Sequence, residues 1–425
     1  MSAEPSRAIG RRWRKASVAR LFSGPRQVST VIEQIGSWAG AGDSPGWFAQ
    51  FVADGPQSLR AELEAAADQA AAASAGFRDW LRDEYAPAAV GASDIAGREL
   101  YLRSARLHTG ADLDLDEAYS WAWGEFARLE AEMREEAQRV LPGATPMQAA
   151  AHLEEHGHSV KGAEGIRAWL QQIMDEAIEA LDGTHFDLEG PLRQVEAMIA
   201  PEGSAAAPYY TEPSLDFTRT GRTWLPTLGR EVFPTWQVVS TWYHEGVPGH
   251  HLHLTQRMRC ADQLSRYQTT IGGVSAEIEG WALYSERFMD ELGFFTDPGR
   301  RLGFLDEQLL RTIRVIIDIG MHLELEIPAD APFHPGERWT PELATEFFAT
   351  YNGSPAELRD SEIIRYLGWP GQAIGYKLGE RAWLRGREAA REAHGAGFDL
   401  KAWHMKALSQ GACGLDELTS RLSVL

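Results

Sequence analysis

Cysteine is scarce. Only Cys260 and Cys413 occur in 425 residues, neither at a metal-ligand spacing, so a disulfide framework is excluded and a reducing compartment fits. Basic charge is short as well: 41 Lys and Arg stand against 61 Asp and Glu, a formal net charge of −20. That excludes nucleic acid as the principal partner, because phosphate binding needs a basic surface. No apolar run approaches the length of a membrane span. Arg11, Arg12, Arg14 and Lys15 near the start are not followed by an apolar stretch of signal-peptide length, and read as a solvated face or a flexible leader. Internal repeats and low-complexity linkers are missing too. These absences point to a cytoplasmic protein with neither membrane nor nucleic acid as partner; its oligomeric state leaves no trace in the sequence.

Apolar residues make up 44% of the chain, and Trp occurs 15 times, enough for a large core and for aromatic pocket walls. The first half reads as successive amphipathic helices, with apolar residues recurring at three and four. They cover 58–85, then 114–141 with Asp114 or Asp116 as N-cap, a short one over 145–157, and 162–181. From 186 the texture changes. Leu192 to Met198 alternates weakly, and "PYYTEP" and "GRTWLP" read as paired strands around a turn at 216–221. Helices return from 234. The expectation is a mainly α fold, with an N-terminal helical region over 1–190 and a catalytic region over 191–425 that includes a small sheet. A cleft between two helical lobes is the natural place for a substrate.

Four of the 13 histidines fall between positions 244 and 253, in "WYHEGVPGHHLH". The stretch opens like the helical zinc motif H-E-x-x-H, but the slot four residues after His244 is Pro248. On a straight helix His244 and His250 would be separated by about 9 Å of rise and a third of a turn, and His244 and His251 by about 10.5 Å, too far for one ion in either case. Pro248 removes a backbone donor and crowds the carbonyl of His244, and Gly249 supplies the angles needed to resume. Looping out two residues within 246–249 restores the spacing with His250 as second ligand; His251 would need three looped out. A Pro and a Gly inside a helix cost about 3 and 1 kcal/mol, an expense that points to a site rather than an ordinary helix stop.

Glu245, beside the first ligand, is placed as general base. A third ligand is required. In "SAEIEGWALYSERFMDELG" (275–293) Glu279 and Glu286 are seven apart and share a face. Glu279 is taken as ligand and Glu286 as its support, while Glu277 reads as a solvated charge. In "RTIRVIIDIGMHLELEIP" (311–328), Arg311, Arg314, Asp318 and His322 share a face; His322 is placed to hydrogen-bond a developing oxyanion, or Asp318 to orient a histidine. "RYLGWPGQAIGYKLG" (365–379) offers Arg365 for a substrate carboxylate, Tyr366 and Gln372 as further contacts, and Tyr376 as donor to a tetrahedral intermediate. Arg219 and Arg222, on the expected hairpin, are further carboxylate readers.

These motifs in this order, together with "GRELYLRSARLHTGADLDLDEAYSWAWGEFARLEAEM" (97–133) and "YYTEPSLDFTRTGR" (209–222), resemble the bacterial family known as domain of unknown function 885, over roughly 90 to 420. Its motif logic is similar to that of dipeptidyl peptidase III, whose zinc helix also carries an insertion. The resemblance implies a helical, zinc-peptidase-like protein of the gluzincin kind. Departures occur at His253, where members often carry Gln, and in the loop Asp216-Phe217-Thr218-Arg219, where a Gly often follows the Asp; both touch the pocket rim more than the metal. The sequence thus leads to a single-zinc metallohydrolase acting on a peptide or amide bond. His244, His250 and Glu279 would hold the ion, and carboxypeptidase-like action on short peptides follows if Arg365 or Arg219 reads a terminal carboxylate. A zinc hydrolase or lyase acting on another small molecule, or an inactive binding protein, are the competing readings.

Overall fold

The computed structural model describes residues 22–40, 46–201 and 207–425; the basic patch at 11–15 lies outside them. The chain divides into two compact units, Met1–Ala96 and Gly97–Leu425. The boundary expected at 190 is therefore misplaced by about one hundred residues. The physical reason is that the helix Leu115–Val140 packs along the helix Pro298–Leu323, so the second half of the "N-terminal" helices belongs to the same body as the motif helices.

The first unit is a small helical cluster. Pro25–Ala39 and Arg60–Trp80 pack together, and a π-turn at Leu81–Tyr85 extends the second of them. Its core is built from Val28, Ile35, Trp80, Leu81, Tyr85 and Ala89.

The second unit is mainly helical, as expected. Asp114 caps Leu115–Val140 by accepting from the backbone N–H groups of Asp116 and Glu117, and Thr145 with Gln148 forms a full capping box before Pro146–His156. The strands are short. β1 (Ser159–Lys161) pairs antiparallel with β5 (Val232–Pro234). β2 (Val195–Ile199) runs parallel to β4 (Gly221–Leu225), which pairs antiparallel with β3 (Tyr209–Thr211), Tyr210 facing Thr223. The expected hairpin is thus present, with β3 at the edge of the sheet.

Two crossings organise the site. The helix Val238–Glu245 packs on Ser275–Glu291 and on Pro298–Leu323. Ser275–Glu291 also lies along Gly375–His394, and there Gly280 and Gly379 meet backbone to backbone: a Cβ on either would collide with the other helix's main chain. Trp242, Trp281, Trp383 and Trp403 are fully buried, which gives the high Trp count a packing role.

His404 lies in this core, between Phe186 and Phe288, and takes the Tyr284 hydroxyl hydrogen on Nε2 at 2.7 Å. Burial, aided by the charge of Arg387, pushes its pKa down to about 3, against about 6.5 in an unfolded chain. Between those values the unfolded state binds more protons, so stability rises with pH from about 3 to 6.5 and is flat above. Urea midpoints across that window should show this dependence, on the order of a few kcal/mol in total. His404→Gln is expected to flatten it; an unchanged slope would show that other groups control acid unfolding.

Candidate metal centre

The interrupted motif is resolved as two helices rather than one kinked helix. Val238–Glu245 ends directly after the His-Glu pair, and His250–Arg259 begins at the second histidine. Four residues, 246–249, form the joint, and the Val247–Pro248 peptide bond is cis. The joint is fixed from several sides. The Gly249 N–H donates to Tyr243 O (3.0 Å), the His251 N–H to Gly246 O (3.0 Å), and Trp281 Nε1 to Pro248 O (2.9 Å). Gly249 lies against the carbonyl of His244 so closely that any Cβ would overlap it, which is why this position takes Gly.

This joint turns His250 towards His244, with ring centroids 4.7 Å apart. Glu279, from Ser275–Glu291, meets both: its Oε2 lies 3.3 Å from His244 Nε2 and 3.5 Å from His250 Nε2. The other nitrogen of His244, Nδ1, is 2.7 Å from Glu286 Oε1, and Glu286 Oε2 accepts from Ser240 Oγ at 2.6 Å. Glu286 therefore holds His244 so that Nε2 faces Glu279. His251 turns the other way, to the Tyr210 hydroxyl (Nδ1, 2.9 Å) and Pro191 O (Nε2, 3.2 Å). Of the two adjacent histidines, His250 is the one at the cluster.

Glu245 completes the group. One ligand-capable atom each from His244, Glu245 and His250 lie within 4.8 Å of one another, and all three residues are buried. The Glu245 carboxylate makes no hydrogen bond among the described residues. Burial raises its pKa, partly offset by His250 and His244. For His244, burial opposes the charged form, but the carboxylates of Glu279 and Glu286 raise the pKa to about 9. At Glu279 burial acts upward and is outweighed by the two imidazoles, which hold its pKa well below the usual range. Three carboxylates, Glu245, Glu279 and Glu286, thus converge on one buried spot. The cation the sequence reading did not assign is Arg311, 7% exposed, whose charge acts on Glu286, Glu279 and Glu245. Its sequence signal was its place on the same face as Arg314.

The remaining candidates separate into placed and displaced. Tyr376 is half-buried, feels the charges of Glu279 and Arg311, stacks against Arg314 (4.7 Å), and leaves its hydroxyl without a hydrogen bond among the described residues. Its hydroxyl hydrogen is thus left unused by the fold. His322 differs: it has no exposed surface, its Nε2 is 3.0 Å from Tyr366 O, and Asp318 lies 3.7 Å away. It also stands eleven residues beyond Arg311, roughly 16 Å along the helix. Asp318 is equally buried, accepting from Tyr101 OH (2.7 Å) and the Gly371 N–H (2.9 Å). Both are internal polar groups that tie helices together.

Tyr366 is likewise fully buried and donates to Glu362 Oε2 at 2.5 Å. Arg365 directs Nε and Nη2 to Glu362 and Nη1 to Gln372 Oε1, so its guanidinium is engaged within the fold, while the side-chain amide nitrogen of Gln372 makes no hydrogen bond among the described residues. Arg222 pairs with Glu196 across the sheet (2.9 Å). Arg219 is exposed, donates Nη1 to Thr220 O at 3.4 Å and has no ion-pair partner among the described residues. Glu277, expected in solvent, is 4% exposed and pairs with His253 Nε2 at 3.0 Å.

The family pattern for bacterial proteins of unknown function, DUF885, matches residues 8–422. The chain belongs to the DUF885 family. Its fold is similar to that of a protein from Colwellia psychrerythraea described as a candidate lipoprotein, at 23% identity and TM-score 0.81, covering 98% of the DUF885 chain and 73% of that one. A second solved structure, a candidate lipoprotein of unknown function from Shewanella oneidensis, aligns at 19% identity and TM-score 0.69 over 94% of this chain and 73% of its own. Comparison with curated proteins finds no match. No described helix is long and apolar enough to cross a membrane.

Proposed function

We propose that this DUF885 chain is a zinc-dependent metallohydrolase of the gluzincin kind, cleaving a peptide or amide bond, with His244, His250 and Glu279 as ligands. One observation carries the reading. Donors sharing a tetrahedral zinc at 2.0–2.2 Å stand roughly 3.3–3.5 Å apart, and the separations from Glu279 Oε2 to the two Nε2 atoms are 3.3 and 3.5 Å. Charge-assisted hydrogen bonds are typically shorter, about 2.7–2.9 Å. The convergence of Glu245, Glu279 and Glu286 on two imidazoles fits a site built around a cation rather than around a proton.

A bound zinc ion would supply Lewis acidity and a water of lowered pKa. The protein groups do the rest. Glu245, unbonded and facing the cluster, accepts a proton from the attacking water and delivers it to the departing nitrogen. Tyr376 donates to the carbonyl oxygen as charge develops there. Glu286, through Nδ1, keeps the ring of His244 in register. The near-absence of cysteine favours the cytoplasm, whereas the two structural relatives are described as lipoproteins.

The test is a library of short peptides offered to metal-loaded protein with and without chelator, beside elemental analysis of the same preparation. Cleavage that chelation abolishes and zinc restores is the expected result. Bound metal without cleavage would shift the reading to a small-molecule zinc enzyme, and protein that takes up no metal would end both.

A further inference from the structure

The helix that starts at His250 carries a second unmet demand. Positions 250, 253 and 257 lie along one stripe of it, and Arg257 is about 10.5 Å beyond His250 along the axis. Arg257 is 2% exposed, yet its Nε and Nη1 have no hydrogen-bond partner among the described residues. Its carboxylate neighbour, Glu212 Oε1, lies 3.7 Å from Nη2, outside hydrogen-bonding distance. A buried guanidinium is ordinarily matched by acceptors, because its fork of donors is costly to desolvate. His253, between the two, uses Nε2 on Glu277 and gives Arg257 nothing.

The surroundings suit a ligand. Gly273 lies beside the guanidinium: a Cβ there would come to 3.9 Å from Nη1, and the space it would take is filled by Ile278, so that flank supplies no acceptor to Nη1. Glu212 directly follows β3 and its side chain is 38% exposed, so the opposite flank reaches solvent. The Tyr210–His251 contact pins β3 against the same helix.

We propose that Arg257 is the subsite for the C-terminal carboxylate of a peptide whose scissile bond lies at the His244–His250–Glu279 cluster. The inference rests on the hydrolase reading for its second half only. A carboxylate received end-on by Nη1 and Nη2 replaces the long contact to Glu212. Extended chain spans about 3.3–3.6 Å per residue, so the separation along the helix corresponds to roughly three residues. The product class is a short peptide of about three residues released from a free C-terminus.

The experiment measures binding of N-acetyl-alanyl-alanine and of its C-terminal amide to metal-loaded protein, by thermal shift titration, in wild type, Arg257→Gln and Arg257→Lys. The wild type is expected to prefer the acid by about tenfold or more, Arg257→Gln to bind acid and amide alike, and Arg257→Lys, which keeps the charge but not the fork, to fall between. Metal content should be equal in all three. Should Arg257→Gln fail to fold, the lysine variant carries the comparison. Equal binding of acid and amide by wild type, no binding of either, or a preference untouched by both substitutions overturns the subsite. Binding with the expected preference but no cleavage of any free-acid peptide leaves the subsite standing and removes the hydrolase reading.

Discussion

Glu245→Gln is expected to retain zinc at the wild-type ratio and to lower the turnover of a cleaved peptide by roughly a thousandfold, within the range associated with loss of general acid–base catalysis. The substitution keeps shape and removes only the ability to accept a proton. Because the Glu245 carboxylate makes no hydrogen bond among the described residues, no hydrogen bond is lost with it, and the variant should stay folded. The measurement is kcat together with zinc per chain on the same sample. Full activity in the variant would remove Glu245 from the chemistry, and loss of zinc would make it a ligand.

Glu279→Ala is the second large effect. Glu279 Oε2 is the atom that the Nε2 atoms of His244 and His250 both approach, so under the proposed ligand set two imidazoles would remain without it, too few to hold zinc against dialysis. Replacing a group that only supports a ligand typically costs 10–100-fold in metal affinity. Glu286→Gln, which disturbs the Nδ1 side of His244 alone, belongs in that range, and Glu279→Ala should exceed it, by more than about a hundredfold. Equilibrium dialysis against buffered zinc orders the two variants. If Glu286→Gln proves the more damaging, the third ligand is misassigned.

The clustering of His244, His250 and Glu279 was legible because helical geometry is local. A His-Glu pair followed by Pro248 and Gly249 announces a break, and the distance a break must close selects His250 over His251. Glu279 and Glu286, two turns apart, must share a face, and the structure gives one to the imidazole Nε2 atoms and the other to Nδ1. What failed was whatever depends on partners distant in sequence. His322, Tyr366 and Arg365 look like site residues when only their own helices are read. The Tyr366 carbonyl meets His322, and Arg314 engages both Tyr366 and Glu362 from another helix; Arg365 is tied by Glu362 three residues before it on its own helix, a pairing its spacing allowed. Glu277 looks like a surface charge until His253 is brought to it across two helices. The division at 190 followed a change of texture at the sheet, whereas the true units follow packing, and the helix Leu115–Val140 packs with the second half of the chain.

The contact of Gly280 with Gly379 fixes one more dimension of this protein. Gly280 adjoins Glu279 in the chain, and Gly379 stands one turn from Tyr376. Two hydrogens in place of methyl groups therefore determine how near the phenol may come to the carboxylate. A relative that retained every ligand but carried alanine at either point would have its helices levered apart there, and would accommodate a bulkier reacting group from the same set of donors.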